Sequence, residues 1–572
     1  MKKFVLAAIS AKFIHSSLAL KYLSKFEGNN IKHKIVTAEF TINHRIDFIL
    51  EELFRCSPDV LFFSCYIWNI EMVKQLCPAL KKILPHCSII LGGPEVSYNS
   101  VEFLKKHSSV DAIIRGEGEL TFTELLDVLE KESYNLTSIK GLTYKESNEI
   151  FVNPDREPLD LARLPFPYEK DFSDVKDKII YYESSRGCPY RCAYCLSSVE
   201  KGVRFVPLDK VYIDLQFFLD ANVRQVKFVD RTFNCNRKHT MAVWEYIAKH
   251  DNGVTNFHFE LTADLLDDEM IEFLRPLRKG LFQFEIGVQS TNPNTIEAIN
   301  RNVDFKKLSA IVQKVKALDN IHQHLDLIAG LPYEDYNSFA NSFNDVYALQ
   351  PEQLQLGFLK VLKGSPMLNR CKEFGIIYRD YAPYEVLATK FLPHSDVLRL
   401  IYIEEMLELF YNSGKFLNST QYLIGFFSSP FAFYENISQY WIAGNHHCKS
   451  HSKVELCDIL YGFIQGIENI DLKKWMWLLK FDLCLHEKPK KMPSWLTLDN
   501  NALYRERIME FYQNDENIKT YLPQYFGYDS KQIYRLAHIE VFGKNSSEHK
   551  AVLFDYDHRD LLNNATYHFI EL

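Results

Sequence analysis

The sequence predicts an α/β protein that ends in a mainly helical region. Short apolar segments alternate with amphipathic helical patterns twice along the 572 residues, first between residues 4 and 131 and again between residues 179 and 359. After about Tyr384 the alternation stops and long amphipathic patterns take over. Alternating strands and helices indicate parallel sheets covered by helices. The later pattern indicates helices packed on one another.

The first alternation predicts a doubly wound, Rossmann-like parallel sheet. Its predicted strands are 4–9, 34–38, 60–64, 88–91 and 112–115, and its predicted helices are 17–26, 46–54, 70–84 and 121–131. Sheets of this kind bind ligands at the carboxyl ends of their strands. The loops that begin at Ser64, Gly92 and Gly116 are therefore the candidate binding loops.

The second alternation predicts a partial (β/α)6 barrel of the TIM type. Its six predicted strands are 179–183, 225–229, 256–261, 282–288, 322–328 and 353–359. In such barrels the loops after the strands carry the chemistry. We expect a first domain at 1–135, a linker with a small hairpin at 136–176, the barrel at 177–380 and a mainly helical domain at 381–572. The last domain has predicted helices at 395–411, 454–467 and 472–485, and a small strand pair at 535–542 and 551–555.

Charge and composition exclude several classes of partner. The chain has 66 Lys and Arg residues and 74 Asp and Glu residues, so no global basic field favours nucleic acid or a membrane surface. The apolar stretch at 60–70 is too short to cross a bilayer, and Lys12 and His15 interrupt the apolar start before it reaches signal-peptide length. Most of the 12 cysteines lie singly in apolar surroundings. We therefore expect reduced thiols and a cytoplasmic protein.

Three cysteines form the exception. Cys188, Cys192 and Cys195 follow the first predicted barrel strand with CxxxCxxC spacing. Three thiolates within eight residues can bind one soft metal centre and leave one metal position open. A structural zinc site is the alternative, but zinc normally completes its tetrahedron with further Cys or His ligands at short spacing. The next cysteine is the distant Cys235.

This loop resembles the cluster loop of the radical S-adenosylmethionine (radical SAM) superfamily, and Tyr194 also suits that pattern. The resemblance implies that Cys188, Cys192 and Cys195 each ligate one iron of a four-iron, four-sulfur (4Fe-4S) cluster. The amino and carboxylate groups of S-adenosylmethionine (SAM) then chelate the fourth iron. It also implies an external one-electron reductant such as flavodoxin or ferredoxin.

The resemblance extends through residues 179–366 and suggests further SAM contacts. Asp230 ends the second predicted strand, where many members have a Gly-Gly-Glu type segment that receives the amino group of SAM; the glycines are missing here. Gln289, Ser290 and Arg301 resemble the residues near the ribose and carboxylate. Glu260 is a further candidate.

Some of these SAM candidates have structural alternatives. For Glu260, and for Asp326 at the end of the fifth predicted strand, the alternative to a cofactor contact is a salt bridge inside the barrel. For Arg301 the alternative is a cation that caps a helix.

The first domain resembles the cobalamin-binding domain of the cobalamin-dependent radical SAM branch. The residues that carry this resemblance follow its predicted strands and include Ser64, Gly92, Gly93, Glu117 and Gly118. Small residues there let the backbone approach a large planar ligand.

The usual cobalt-ligating pattern, Asp-x-His-x-x-Gly, is absent from the loop after the first strand. His15 lies offset from the expected place, and either ligates cobalt or is a capping or packing residue. A dinucleotide or flavin site is disfavoured because the loop lacks Gly-x-Gly-x-x-Gly. A methylthiotransferase would need a second cysteine cluster, which this domain lacks.

These features predict a radical SAM enzyme with cobalamin that transfers a methyl group to an unactivated carbon. The substrate is an unknown small molecule or peptide. Ring formation or rearrangement without net methylation is the nearest alternative, and a non-catalytic cobalamin or redox sensor is the alternative of another class. The carboxyl-terminal third shows no active-site constellation. There, His446, His447, Cys448 and His451 form either a metal site or, as we favour, a polar helix connection.

Overall fold

A computed structural model of the chain describes residues 1–131, 135–169, 172, 175, 178–199, 202–488, 491–496, 504–542, 550–559 and 564–572. Part of the predicted linker, namely residues 170–171, 173–174 and 176, lies outside these ranges, as does residue 177. The chain forms two compact units. The first comprises Met1–Asp335 and Gly357–His394, and the second comprises Tyr336–Leu356 and Ser395–Leu572. The predicted α/β class is confirmed.

The first unit begins with a seven-stranded sheet of order β2-β1-β3-β4-β5-β6-β7. Its strands are β1 Lys3–Ser10, β2 Lys34–Thr41, β3 Val60–Ser64, β4 Ser88–Gly92, β5 Ala112–Ile114, β6 Leu142–Glu146 and β7 Glu149–Val152. The first five strands run parallel, and the β6–β7 hairpin extends the sheet antiparallel to β5. The helices between them are α1 Leu18–Lys25, α2 Asn29–Lys32, α3 Ile46–Cys56, α4 Ile70–Ile83, α5 Pro94–Ser97, α6 Ser100–Lys106 and α7 Glu119–Leu129.

Both faces of this sheet are buried, which explains why its strands are apolar without alternation. Val5 and Ile9 of β1 pack in one cluster with Val73 of α4. Phe4 belongs to a second cluster on the opposite face, together with Phe122 of α7. Two covered faces leave the carboxyl ends of the strands as the open edge for a ligand.

The first unit continues with a parallel sheet of the barrel type. Its elements are β8 Ile180–Tyr182, β9 Ser185–Gly187, β10 Val203–Phe205, α8 Leu208–Asp220, β11 Gln225–Phe228, α9 Arg237–Lys249, β12 Asn256–Leu261, α10 Asp268–Leu274, β13 Phe282–Gln289, α11 Pro293–Ala298, α12 Phe305–Lys316 and β14 His322–Ala329. Strands β8, β11, β12, β13 and β14 are parallel neighbours in that order, while β9 and β10 form a separate antiparallel pair.

A sixth barrel strand, Gln353–Phe358 (β15), has its last two residues in the first unit. The Leu359 amide donates to the Ala329 carbonyl at 2.9 Å, which places this strand end beside the end of β14. The first unit then closes with α14 Pro366–Phe374, β16 Ile377–Tyr378 and β17 Val386–Ala388.

Side chains alternate along the barrel strands. Phe257 and Phe259 of β12 are buried and Phe259 meets Trp244 of α9, on the outer, helix-covered face. His258 and Glu260 point to the other side because successive side chains of a strand face opposite ways. The barrel interior is therefore lined with polar and charged groups.

The second unit is mainly helical, as predicted. Its helices are α13 Tyr336–Tyr347, α15 His394–Leu407, whose first residue belongs to the first unit, α16 Leu417–Ile424, α17 Pro430–Ala443, α18 Lys453–Ile464, α19 Leu472–His486, α20 Arg505–Gln513, α21 Asp515–Tyr521 and α22 Ser530–Leu536. It ends in a three-stranded antiparallel sheet of β18 Ala537–Phe542, β19 Lys550–Arg559 and β20 Ala565–Ile570, one strand more than the predicted pair.

Two features of the helices bear on the sequence analysis, namely their length and apolar character, and the polar turn that follows α17. Among the described residues, no helix combines the length and apolar character needed to span a membrane. His446 lies in a short helical turn after α17, and the His451 ring bonds to its carbonyl at 2.8 Å. This contact is consistent with the polar helix connection that the sequence analysis favours for this segment.

Candidate functional site

The cysteine loop starts at a point where two backbones nearly touch. Gly187 ends β9 with φ 102°, and a β-carbon on it would lie 2.2 Å from the Gly202 carbonyl oxygen. Glycine is required there because any other residue would collide with the backbone that leads into β10. Further along, the Ala193 amide donates to the Ile299 carbonyl and the Ala193 carbonyl accepts from the Met367 amide, both at 2.8 Å. The loop is therefore held from both sides.

The three thiols differ slightly in exposure. Cys188 and Cys192 are 9% and 6% exposed, Cys195 is partly exposed, and all three are free of disulfides. They are not among the groups of the described chain whose ligand atoms lie within 4.8 Å of one another. A single zinc ion would hold three sulfurs about 3.8 Å apart, given its bond lengths of about 2.3 Å and tetrahedral geometry. At least one pair of the three sulfurs therefore lies farther apart than a single zinc ion would hold it.

Arg301 lies against the cysteine loop. Its Nη1 is 3.7 Å from the Cys192 sulfur and donates to the Tyr194 hydroxyl at 3.1 Å, while Nη2 donates to the Gly287 carbonyl at 2.5 Å. None of these contacts involves the end of a helix. A cation here stabilises thiolates and the negative charge of a cluster that they would hold.

Gln289 ends β13 in a strained conformation. Its φ is 73°, which is rare for a residue with a side chain, and the register of β13 shifts between Gly287 and Gln289. The side chain folds back so closely that a β-carbon on Gly287 would lie 2.2 Å from its Nε2. Its buried Oε1 has no hydrogen-bond partner. A buried, unsatisfied oxygen on a strained loop fits a polar ligand such as SAM.

Ser290 is bonded to Glu334, a residue to which the sequence analysis assigned no role. The Ser290 hydroxyl donates to Glu334 Oε1 at 2.6 Å and accepts from the Asn292 amide at 3.0 Å. Glu334 is buried and belongs to the loop after β14. Its position after the fifth barrel strand is the signal that identifies it.

Asp230 is buried at the end of β11 and faces the residues that precede the cysteine loop. It accepts hydrogen bonds from the Ser184 amide at 3.0 Å, the Ser184 hydroxyl at 2.7 Å and the Ser185 hydroxyl at 2.5 Å. Burial raises the pKa of Asp230 to about 7. These bonds fix the turn between β8 and β9. The predicted contact of Asp230 with the SAM amino group stays a prediction.

Glu260 lies inside the barrel, where no described residue forms an ion pair with it within 4.0 Å. Burial raises its pKa, the charge of Arg231 lowers it, and Glu285 raises it further. Asp326, by contrast, has its Oδ1 3.0 Å from the His324 ring. Asp326 therefore forms the salt bridge that was the alternative to a cofactor contact. Glu260 forms no such pair among the described residues and remains available to a ligand.

The open edge of the first sheet brings three predicted binding residues together. Ser64 pairs with Gly92 in register at the ends of β3 and β4. Gly93 has φ 106°, and a β-carbon on it would lie 2.5 Å from the Cys65 carbonyl oxygen, so packing of the loop itself requires glycine. Gly116 has φ 69° with nothing within 4 Å of its β-carbon position. The backbone at Gly116 therefore borders open space.

Glu117 forms ion pairs and does not lie on an open surface. It accepts hydrogen bonds from Arg204 and from the Leu159 amide, the latter at 2.7 Å, and lies 3.5 Å from Arg186. Burial raises the pKa of Glu117, but the Arg204 hydrogen bond and the Arg186 charge outweigh it, so the pKa is lowered. Gly118 precedes α7, and a β-carbon on it would lie 3.4 Å from the Leu23 side chain. Their predicted cobalamin contacts stay predictions.

The sequence analysis missed an aromatic pair at the same edge. Tyr66 and Trp68 stack with ring centroids 4.5 Å apart and an interplanar angle of 5°. Trp68 is 44% exposed, and its indole nitrogen donates to the Ile9 carbonyl at 3.0 Å. Two aromatic residues directly after a buried strand are the signal for this surface. His15, the possible cobalt ligand, instead has Nδ1 2.5 Å from the Tyr181 hydroxyl.

Three family models match the chain. The B12 binding domain matches residues 5–126, the radical SAM superfamily matches residues 182–346, and Protein of unknown function (DUF4080) matches residues 372–554. The second match contains the cysteine triplet, and the first contains the glycine-bearing edge.

Curated relatives share part of this arrangement. The cobalamin-dependent radical SAM methyltransferase TokK of Streptomyces tokunonensis is 26% identical over 331 residues, 54% of this chain and 48% of TokK. The 2-(S-pantetheinyl)-carbapenam-3-carboxylate methyltransferase of Streptantibioticus cattleyicolor is 27% identical over 327 residues, again 54% of this chain and 48% of the relative. The chain thus spans about half the length of these relatives.

Solved structures agree with the fold. The cobalamin-dependent SAM radical enzyme OxsB, with aqua-cobalamin and SAM bound, superposes with a TM-score of 0.59 at 15% identity over 93% of this chain and 84% of OxsB. The radical SAM methyltransferase TsrM from Kitasatospora setae gives a TM-score of 0.56 at 14% identity over 65% of this chain and 76% of TsrM. The predicted domain types for cobalamin, SAM and an iron–sulfur cluster are confirmed by the B12-binding and radical SAM models, which match the first domain and the barrel of this chain.

Proposed function

We propose that this protein is a cobalamin-dependent radical SAM methyltransferase that methylates an unactivated carbon of a small molecule or peptide. The observation that carries the proposal is the buried cysteine triplet with Arg301 beside Cys192, in the same compact unit as the glycine-bearing edge of the first sheet. When bound, the cluster and SAM supply a carbon radical and cobalamin supplies a methyl carrier.

The residues of this chain would bind and orient these groups. Cys188, Cys192 and Cys195 would hold the cluster, and Arg301 would offset its negative charge. Gln289 would offer its unsatisfied oxygen to SAM. Burial of the loop would keep water from the reactive centre. A flavodoxin or ferredoxin in the cytoplasm would deliver the electron.

The names of the relatives support methyl transfer. Besides the two methyltransferases above, the hopanoid C-3 methylase of Methylococcus capsulatus is 26% identical over 307 residues. A second candidate, ring formation without net methylation, is favoured by another set of relatives. The anaerobic magnesium-protoporphyrin IX monomethyl ester cyclase of Rubrivivax gelatinosus is 21% identical over 311 residues.

Loading of cobalt with a methyl group separates the candidates without knowledge of the substrate. The full chain is reconstituted anaerobically with iron, sulfide and hydroxocobalamin, and is given reductant and SAM with a deuterated methyl group. A methyltransferase forms deuterated methylcobalamin and S-adenosylhomocysteine, detected by mass spectrometry. Formation of 5′-deoxyadenosine without methylcobalamin favours ring formation, and absence of all three products favours a sensor and contradicts the proposal.

Cysteine variants show whether these products depend on the predicted cluster. Cys188→Ala, Cys192→Ala and Cys195→Ala should each lose the cluster absorption near 410 nm and the formation of 5′-deoxyadenosine. Cys235→Ala is the matched control, because Cys235 is the next cysteine in the chain and lies outside the loop. An intact iron–sulfur spectrum in the triple variant would overturn the cluster assignment.

A further inference from the structure

A polar cluster lies inside the barrel, on side chains other than the three cysteines and the residues of the first sheet. Its members stand on neighbouring strands in register: Glu285 of β13 pairs with His324 of β14, and Gly287 pairs with Asp326. His258 of β12 faces the same interior, one strand away. The alternation of the strands therefore directs two imidazoles and two carboxylates to one region.

The ligand atoms of this cluster are close together. The side-chain atoms of Glu285, His324 and Asp326 that can bind a metal all lie within 4.8 Å of one another. His324 Nε2 is 3.0 Å from Asp326 Oδ1, and His258 Nε2 is 3.0 Å from Glu285 Oε2. Ligands at right angles on one ion with bonds of about 2.1 Å are about 3 Å apart. These distances therefore suit two ligands of a common metal ion.

Hydrogen bonding leaves these atoms unsatisfied. His258 and His324 are each 7% exposed. Neither Nε2 has a hydrogen-bond partner, and Asp326 Oδ1 has none either, despite the short separations. The imidazole and carboxylate thus lie side by side without the geometry of donor and acceptor. Each nitrogen still lies at ion-pair distance from a carboxylate, so each pair is in contact but lacks a directional hydrogen bond.

Carboxylates and basic groups lie side by side in the barrel interior: burial lowers the pKa of His324, but Asp326 outweighs it and the pKa is raised. Glu260, Glu285 and Asp326 bring three carboxylates, and Lys227 bonds to Glu285 Oε2 at 2.8 Å. One lysine offsets one carboxylate. Arg231 acts on Glu260 by its charge, which leaves Asp326 with the His324 ring as its neighbour. Burial accordingly raises the pKa of Asp326, and His324 lowers it in turn.

We propose that Glu285, His324 and Asp326 bind a divalent transition-metal ion inside the barrel. A set of imidazole and carboxylate donors without sulfur suits Mn²⁺, Fe²⁺ or Zn²⁺ rather than an iron–sulfur cluster. The ion would bond to a His324 ring nitrogen and to Asp326 at once. This inference is independent of the proposed methyl transfer, because the site uses none of the residues to which the proposed function gives the cluster and SAM, namely Cys188, Cys192, Cys195, Arg301 and Gln289.

Manganese binding tests the site directly. The full chain with its oxidised 4Fe-4S cluster, which gives no electron paramagnetic resonance signal, is titrated with Mn²⁺ in the absence of cobalamin and SAM. The six-line signal of free Mn²⁺ should be lost for one equivalent per chain. The proposal is wrong if less than half an equivalent binds at about 0.1 mM free Mn²⁺.

Variants locate the bound ion. Glu285→Gln together with Asp326→Asn should weaken Mn²⁺ binding at least about tenfold. Glu272→Gln, which changes an exposed carboxylate on α10, is the matched control and should bind normally. Single His324→Gln, which keeps the size and polarity of the side chain, serves if the double variant does not fold, and it should also weaken binding.

One other group in the described chain has close ligand atoms, namely Cys484, His538 and Glu540 of the second unit. There, Lys480 already pairs with Glu540, and His538 lies 2.7 Å from the same carboxylate. Cys484→Ala should therefore leave Mn²⁺ binding unchanged. Loss of the ion in Cys484→Ala, with retention in the barrel variants, would overturn the proposal.

Discussion

Arg186 joins the cysteine loop to the first sheet domain through Glu119, whose carboxylate accepts a hydrogen bond from the guanidinium at 2.9 Å. Arg186 stands two residues before Cys188, and Glu119 is the first residue of α7. The same guanidinium donates to Glu183 at 2.8 Å and lies 3.5 Å from Glu117. One side chain thus fixes the predicted cluster loop relative to the predicted cobalamin edge.

Replacement of Arg186 tests this connection. Arg186→Ala leaves partly buried carboxylates without their cation, and loss of one partner of such a network costs about 3 to 5 kcal/mol of unfolding free energy. We expect a lower melting temperature and weaker binding of hydroxocobalamin, measured by calorimetry and equilibrium dialysis. Arg275→Ala is the control, because Arg275 forms an exposed pair with Glu272. Equal effects of both variants would contradict the role of Arg186.

The sequence predicted most elements of the fold because their patterns are local. The apolar strands of the first sheet and the alternation in β12 and β13 read directly from residue order. The contact between Arg186 and Glu119 joins residues 67 positions apart. No local pattern contains it, because it depends on how two sheets are placed within the first unit.

The candidate site residues show the same difference between local patterns and long-range contacts. Spacing located the cysteine triplet, and strand ends located Asp230 and Glu117. Spacing does not tell which way a side chain turns, so it did not reveal that Asp230 bonds to Ser184 or that Glu117 pairs with Arg204. Side-chain direction depends on the backbone rotation at each strand end.

Gly187 offers a test of the backbone contact at the loop entrance. Gly187→Ala should destabilise the protein and reduce the iron bound per chain, because the new methyl group would lie 2.2 Å from the Gly202 carbonyl oxygen. Gly253→Ala is a matched control with φ 76° and nothing within 4 Å of the added atom. Both glycines have a positive φ, so both variants also introduce some backbone strain. Iron analysis should therefore show a loss in Gly187→Ala alone.

The strained backbone at Gln289 predicts that its replacement by glycine raises stability and weakens SAM binding. Gln289→Gly removes the penalty for φ 73°, of order 1 kcal/mol, and also removes the unsatisfied amide oxygen. We expect a raised melting temperature and weaker SAM binding by equilibrium dialysis. Asn148→Gly relieves a similar φ of 68° in the β6–β7 turn and should leave SAM binding unchanged. Unaltered SAM affinity in Gln289→Gly would remove Gln289 from the SAM site.

His239 gives the protein a specific sensitivity to acid. The ring lies 3.2 Å from the Ser184 hydroxyl, and burial lowers its pKa from 6.5 to about 4. Because the unfolded chain binds this proton at higher pH than the folded chain, His239 stabilises the protein fully above pH 6.5 and loses that contribution as the pH falls towards 4. The difference between the pKa of His239 in the unfolded and the folded chain corresponds to about 3 kcal/mol of unfolding free energy. The contribution of His239 to the stability of the folded state should therefore fall over this window.

Melting temperatures of the parent protein and His239→Gln between pH 7 and pH 4.5 measure this effect. The parent protein should lose more stability over that window than the variant, which lacks the titrating ring. Asp230 acts in the opposite direction, because its raised pKa of about 7 favours the folded state as the pH falls, but both proteins contain it. His86→Gln, at an exposed position before β4, controls for loss of a histidine as such. Parallel pH profiles of His239→Gln and the parent protein would show that His239 is not the group that titrates.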